Sequence, residues 1–345
     1  MVIQQTAPRP YPPGWMDRLF DWVERLPLPF GLFYLGLGLL FFTAETLVKW
    51  WDGSYAVGTL NLFHFISSTN FAIGLGLVHY LRRSARATFE HFRPFLPMSD
   101  HDSQIECYKL TTARSHWALL ASLLGVLWAL LQQQMAPAKA TSLMFTSPQA
   151  SVIDMTILLV FWWTLGGLIY WLIHYLRASG QMHRKSSADL LRPQALYVFS
   201  RLNLRVAVGV TFINYAWLYF APQQSLQYSD YLACLVVEMV VLAAFILPAW
   251  GIHGMLLKEK RRLHDEVHSR IERLVTQLYV EIDMGSYQQI DGIFKGLVAL
   301  QTEYVLLERS STWPWPVETP RLLATAIFVP ILLWITQRLL ERFGI

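Results

Sequence analysis

From Tyr231 to about His253 the chain is almost wholly apolar, a run long enough to cross a hydrocarbon core that needs about 20 helical residues. Lys258, Lys260, Arg261 and Arg262 follow at once. A cationic cluster beside a span stays on the cytosolic side, so the chain is expected to exit into the cytosol there. Six further apolar stretches complete the pattern: Phe30 to Trp51, Val57 to Tyr80, Ser115 to Gln132, Val152 to Leu176, Val206 to Phe220 and Leu322 to Leu339. With 54% hydrophobic residues, 14 Trp and a mean hydropathy of +0.33, the chain is too apolar for an ordinary soluble domain. The expected fold is all-α: a polytopic helical membrane protein of about seven transmembrane helices, with a cytosolic helical hairpin between the last two.

Cations sort the loops between these stretches. Arg82, Arg83, Arg86 and Arg93 follow the second, and Arg177, Arg184, Lys185 and Arg192 follow the fourth. The loop after the third carries only Lys139, and residues 221–229 carry no cation. By the positive-inside rule the N-terminus is cytosolic, the short C-terminus is external, and the chain is a multi-pass protein of the cell membrane. Arg201 and Arg205 are expected to snorkel to the inner headgroups. The net charge of +4 reflects this topology rather than affinity for nucleic acid, of which no motif is present. The N-terminus matches neither a signal peptide nor a myristoylation motif, so the first span is expected to serve as its own insertion signal. Cys107 and Cys234 read as structural thiols.

Four segments result. Residues 1–28 form a tail and an interfacial amphipathic helix, with Trp15, Leu19, Phe20, Trp22, Val23 and Leu26 on one face and Asp17, Arg18, Asp21, Glu24 and Arg25 elsewhere. Pro27 and Pro29 end that helix. Residues 29–254 form a six-span bundle, in which Gly36, Gly38, Gly74, Gly76, Gly166 and Gly167 let helices approach closely. Residues 255–316 form the arm, and residues 317–345 the final span. In the arm, Leu256, Leu263, Val267, Ile271, Leu274, Leu278 and Ile282 make one apolar stripe, and Ile290, Ile293, Leu297, Leu300, Tyr304 and Leu307 make another. Gly285 and a capping box from Ser286 to Gln289 mark the turn between them. Trp313, Pro314, Trp315 and Pro316 form a hinge before the last span, since proline breaks the helix and tryptophan favours the headgroup zone.

An ionisable side chain inside a span costs roughly 2.5 to 3.5 kcal/mol on insertion scales and so needs a partner or water. Glu45, His64 and Glu238 each lie roughly 6 Å outward of the midplane, and Asn61 and Asn214 share that outer half. Such a set either lines a water-filled cavity open to the outside, favouring cations or protons, or satisfies itself by hydrogen bonds between helices. Glu45, His64 and Glu238 are metal-ligand types, but they come from three spans with no diagnostic spacing, and no metal or cofactor is expected. His264 and His268 read as a solvated face, because HDEVH places its acid one position late for a zinc protease. No GxSxG, Walker or GxGxxG motif occurs in a usable context, so neither an NTPase nor a serine hydrolase is expected, and the chain is read first as a non-enzyme.

The expected function is an oligomeric, channel-like conduit for cations or small solutes. A membrane-anchored sensor or scaffold, acting through a cytosolic partner of residues 257–309, is the alternative, and an intramembrane enzyme comes third. The layout, seven spans with an internal N-terminus and a cytosolic helix feeding the last span, resembles that of the insect chemoreceptor channels, whose last helix lines a shared pore. That resemblance implies that Leu322 to Leu339 faces the centre of a homo-oligomer, where its apolar residues suit a dewetting gate.

Overall fold

A computed structural model describes residues 9–95, 98–135, 144–185, 194–220, 228–285, 289–313, 315 and 318–343. Residues 1–8, Lys139, Arg192, residues 221–227, Ser286, Pro314 and Pro316, on which several expectations rest, lie outside that set. The described chain folds as α1 (Trp15–Val23), α2 (Phe30–Trp51), α3 (Leu62–Phe92), α4 (Asp100–Thr111), α5 (Ser115–Met135), α6 (Pro148–Lys185), α7 (Gln194–Phe220), α8 (Tyr228–Asp283), α9 (Ile290–Arg309) and α10 (Glu318–Phe343). No named strand occurs among the described residues.

Five of these helices, α2, α3, α5, α6 and α8, are long and apolar enough to cross a membrane. Their surfaces agree with that use. Leu32, Leu35, Leu39, Leu40 and Leu47 on α2, and Leu119, Leu120, Leu123, Leu124 and Leu127 on α5, point outward, while Glu45, Lys49, His64 and Asp154 are buried. A water-soluble domain shows the reverse distribution. The two remaining expected stretches, Val206 to Phe220 and Leu322 to Leu339, fall within α7 and α10, helices of 27 and 26 residues.

The centre of the bundle is α3, which packs against α2, α6 and α7. Its Phe71, Leu75, Val78 and Leu81 meet Tyr34, Trp171 and Tyr175 in the main apolar core. A smaller cluster of Leu204, Ala207, Val241, Phe245 and Leu323 joins α7, α8 and α10. Inside a bilayer such contacts are held by close packing, because lipid tails are as apolar as leucine. The closest approach is between α5 and α6: a Cβ on Gly125 meets the Trp162 carbonyl oxygen at 2.1 Å, and one on Gly166 meets that of Ala121 at 2.2 Å. Gly36, by contrast, has nothing within 4 Å and makes no helix contact of the expected kind.

Two readings are corrected at the N-terminal side. The face assigned to α1 is packed inward in part: Met16 and Phe20 are sealed in the main core, Val23 is buried, and Trp22 is left half exposed. Asp17, assigned to the polar face, is fully buried. It accepts hydrogen bonds from the backbone N–H groups of Gly14 (3.2 Å) and Ala113 (2.9 Å) and from Trp171 Nε1 (3.2 Å). Arg82 reaches the same place, donating to the Asp17 carbonyl at 3.2 Å and to Asp21 Oδ1 at 2.5 Å. The second stretch begins at Leu62 rather than Val57, because Asn61 Oδ1 accepts the Phe63 N–H at 2.9 Å and caps the helix there.

α8 continues without interruption from the apolar stretch into the charged arm, about 84 Å of helix. Gly285, at φ +69°, turns the chain back, and α9 packs along α8. Gln289 caps α9 with no side-chain hydrogen bond. His264 is not on a solvated face: its ring lies 4.1 Å from that of Tyr304 on α9, while His268 is exposed beside Glu272. Lys260 Nζ closes the base of the hairpin, donating to the Glu308 carbonyl at 2.8 Å and that of Ser310 at 2.9 Å.

Candidate functional site

Three chain directions bring the first polar group together. α2 ends at Trp51, α3 begins at Leu62 and α6 begins at Pro148, so Glu45, His64 and Asp154 all lie within two turns of one end of the bundle. Glu45 and Lys49, four residues apart, share a face of α2. His64 Nδ1 is in close contact with Glu45 Oε1, and its Nε2 lies 2.7 Å from the Tyr55 hydroxyl. Lys49 Nζ donates to Asp154 Oδ2 at 3.0 Å, with both side chains fully buried. One ligand atom from each of Glu45, His64 and Asp154 lies within 4.8 Å of the others.

The loops above this group are tied down. Asp52 Oδ1 accepts the Ser54 N–H at 2.8 Å, and Ser147 Oγ donates to Asp52 Oδ2. Thr146 Oγ1 meets Ser54 Oγ at 2.6 Å, and Trp50 Nε1 donates to the Thr59 carbonyl at 2.9 Å. Phe145 holds a φ of 56°, uncommon for a residue with a side chain, and that conformation aims its N–H at Asp154 Oδ2, 2.7 Å away. Burial pushes the Tyr55 phenol up to about 12, so it keeps its proton beside His64. Two acceptor atoms remain: Glu45 Oε2 and Asp154 Oδ1 have no hydrogen-bond partner among the described residues.

Glu238 and Asn214 form a second group, between α7 and α8. Thr211 Oγ1 donates to Glu238 Oε2 at 3.0 Å, and Asn214 Nδ2 donates to Glu238 Oε1 at 3.0 Å and to the Cys234 carbonyl at 3.1 Å. Both Glu238 oxygens therefore have donors, the self-satisfied arrangement.

The five expected site residues thus divide. Glu45 and His64 meet each other, Asn214 and Glu238 meet each other, and Asn61 is a helix cap. Asp154, Lys49 and Tyr55 complete the first group. The rule that singles out Glu45, an acid within an apolar stretch, also selects Asp154 in Val152 to Leu176. Lys49 is hidden by its neighbours Trp50 and Trp51, which give it the look of an interfacial residue.

At the expected hinge, Trp313 and Trp315 are stacked (4.8 Å, 17°) and continue into α8 on both sides. Trp315 lies on Phe245 (5.1 Å, 18°) and Trp313 on His253 (4.1 Å, 13°), while His253 Nδ1 lies 3.1 Å from the Thr312 carbonyl. The segment is a clasp on α8 at these two residues. No family model, no curated protein and no solved structure matches the chain.

Proposed function

We infer that the protein is a seven-span conduit of the cell membrane, working as a homo-oligomer and passing cations or small solutes. α7 and α10 supply the two spans beyond the five, the fifth and the seventh in chain order. The arginine-bearing ends of α3 and α6, and the α8–α9 hairpin, lie in the cytosol by the positive-inside rule, which puts the Glu45 and Glu238 groups on the outer side. The observation that carries the reading is the buried set of Glu45, Lys49, His64 and Asp154 under an apolar, outward-facing shell. Four ionisable groups held together in that position are costly unless the site handles charge.

The test is ion flux through the purified full chain in liposomes between external pH 5 and 8. Glu45→Gln and Glu238→Gln are both expected to change flux, the first because it removes a charge from the buried contact with His64 Nδ1. Flux insensitive to both substitutions overturns the reading. A second reading, a sensor or scaffold acting through the arm, is favoured by one feature. α8 runs unbroken from the bundle to the tip of the arm, so a tilt within the membrane is delivered directly to residues 257–309.

A further inference from the structure

We propose that Glu45, His64 and Asp154 bind a divalent transition-metal ion of the zinc and cobalt class, independently of whether the chain conducts. Unsatisfied lone pairs lead there. Lys49 Nζ reaches Asp154 Oδ2 and His64 Nδ1 meets Glu45 Oε1, so one oxygen of each carboxylate is served. Glu45 Oε2 and Asp154 Oδ1, on side chains 2% and 0% exposed, stay without donors among the described residues. A metal ion serves all three side chains at once, because one ligand atom from each lies within 4.8 Å of the other two.

The donor set names the class. One imidazole with two carboxylates suits zinc, cobalt or manganese, and lacks the six to eight oxygens that calcium takes. The surroundings are those of a ligand shell. Tyr55 holds the far nitrogen of His64, fixing the ring's orientation, and the Phe145 N–H fixes Asp154. Lys49 and the Phe145 N–H both hold Asp154 Oδ2, which leaves Oδ1 for the ion.

The experiment is a Co²⁺ titration of the full, tag-free chain in detergent, read by visible ligand-field absorption, with Zn²⁺ as competitor. One ion per chain is expected, displaced by Zn²⁺. Glu45→Gln and Asp154→Asn are each expected to weaken Co²⁺ binding by about tenfold or more, and exposed Glu303→Gln to leave it as in the wild type. Absence of Co²⁺ absorption in the wild type, or equal affinity in all variants, overturns the proposal. Should the buried substitutions prevent folding, X-ray absorption of the Zn²⁺-loaded wild type decides. One imidazole with oxygen donors supports the site, and any other imidazole count overturns it.

Discussion

Asp17 is a carboxylate set where the N-terminal segment, α4 and α6 meet, and its environment pulls in two directions. Burial pushes its pKa up to about 6, while Arg82 and the N–H groups of Trp171, Ala113 and Gly14 hold it down. An acid whose folded pKa exceeds its unfolded value gives stability that is fully present below the unfolded pKa, near 4, and is lost as pH rises through the folded pKa. The wild type is therefore expected to lose about 3 kcal/mol from this group between pH 4 and 6. Asp17→Asn lacks that titration. Thermal unfolding in detergent across this range should show a steeper fall in the wild type than in the variant, and parallel curves would refute the assignment. The residue also shows what sequence leaves hidden. Its spacing in α1 places it off the expected apolar face, and only the folded chain reveals that the covered face runs through Met16, Phe20 and Val23 and takes in Asp17, while Arg18, Glu24 and Arg25 stay exposed. The same limit applies to Lys49 and Asp154, whose partnership joins residues 105 apart in sequence.

Helices were the legible scale. Six of the seven expected stretches lie wholly on a helix and the second does from Leu62 onward, and the Gly285 turn is where the stripe pattern breaks, because 3.6-residue periodicity and chain-breaking residues are local properties. Which helices touch is not local. The sequence offers Gly36 and Gly166 as equal candidates for a close crossing, yet Gly36 has open space around it and Gly166 lies against the Ala121 backbone. Gly125, the partner position on α5, stands alone in an apolar stretch and carries no signal of its own. Adding one methyl group separates the cases. Gly125→Ala or Gly166→Ala places a carbon about 2 Å from a backbone oxygen, which no rotamer relieves, and α5 and α6 must move apart. A loss of several degrees in the melting temperature of the detergent-solubilised protein is expected. Gly36→Ala should be neutral or stabilising by up to about 1 kcal/mol, from helix propensity alone. If the three variants melt alike, the α5–α6 contact does not hold the bundle together.

Across the whole molecule, the bundle and the arm share one helix, so what fixes the arm's direction is the clasp at its base. α8 alone would leave α9 attached by a turn at the far end and by a short segment at the near one. That near segment is held by Phe245, Trp315, Trp313 and His253 in a continuous stack, and by Lys260 on the Glu308 and Ser310 carbonyls. Aromatic pairs contribute roughly 0.5 to 1.5 kcal/mol each beyond the area they bury. Trp313 takes part in two of the three stacked pairs, so Trp313→Ala removes about 1 to 3 kcal/mol from the clasp. Amide hydrogen exchange in residues 290–309 is expected to quicken by about tenfold or more, with exchange in α3 unchanged. Trp51→Ala, at a tryptophan 78% exposed, serves as the control and should leave α9 as it is. Unchanged exchange in Trp313→Ala would mean that the stripe between α8 and α9 holds the hairpin unaided. In that case the clasp does not fix the hairpin, and the arm is joined to the bundle through the unbroken α8 alone.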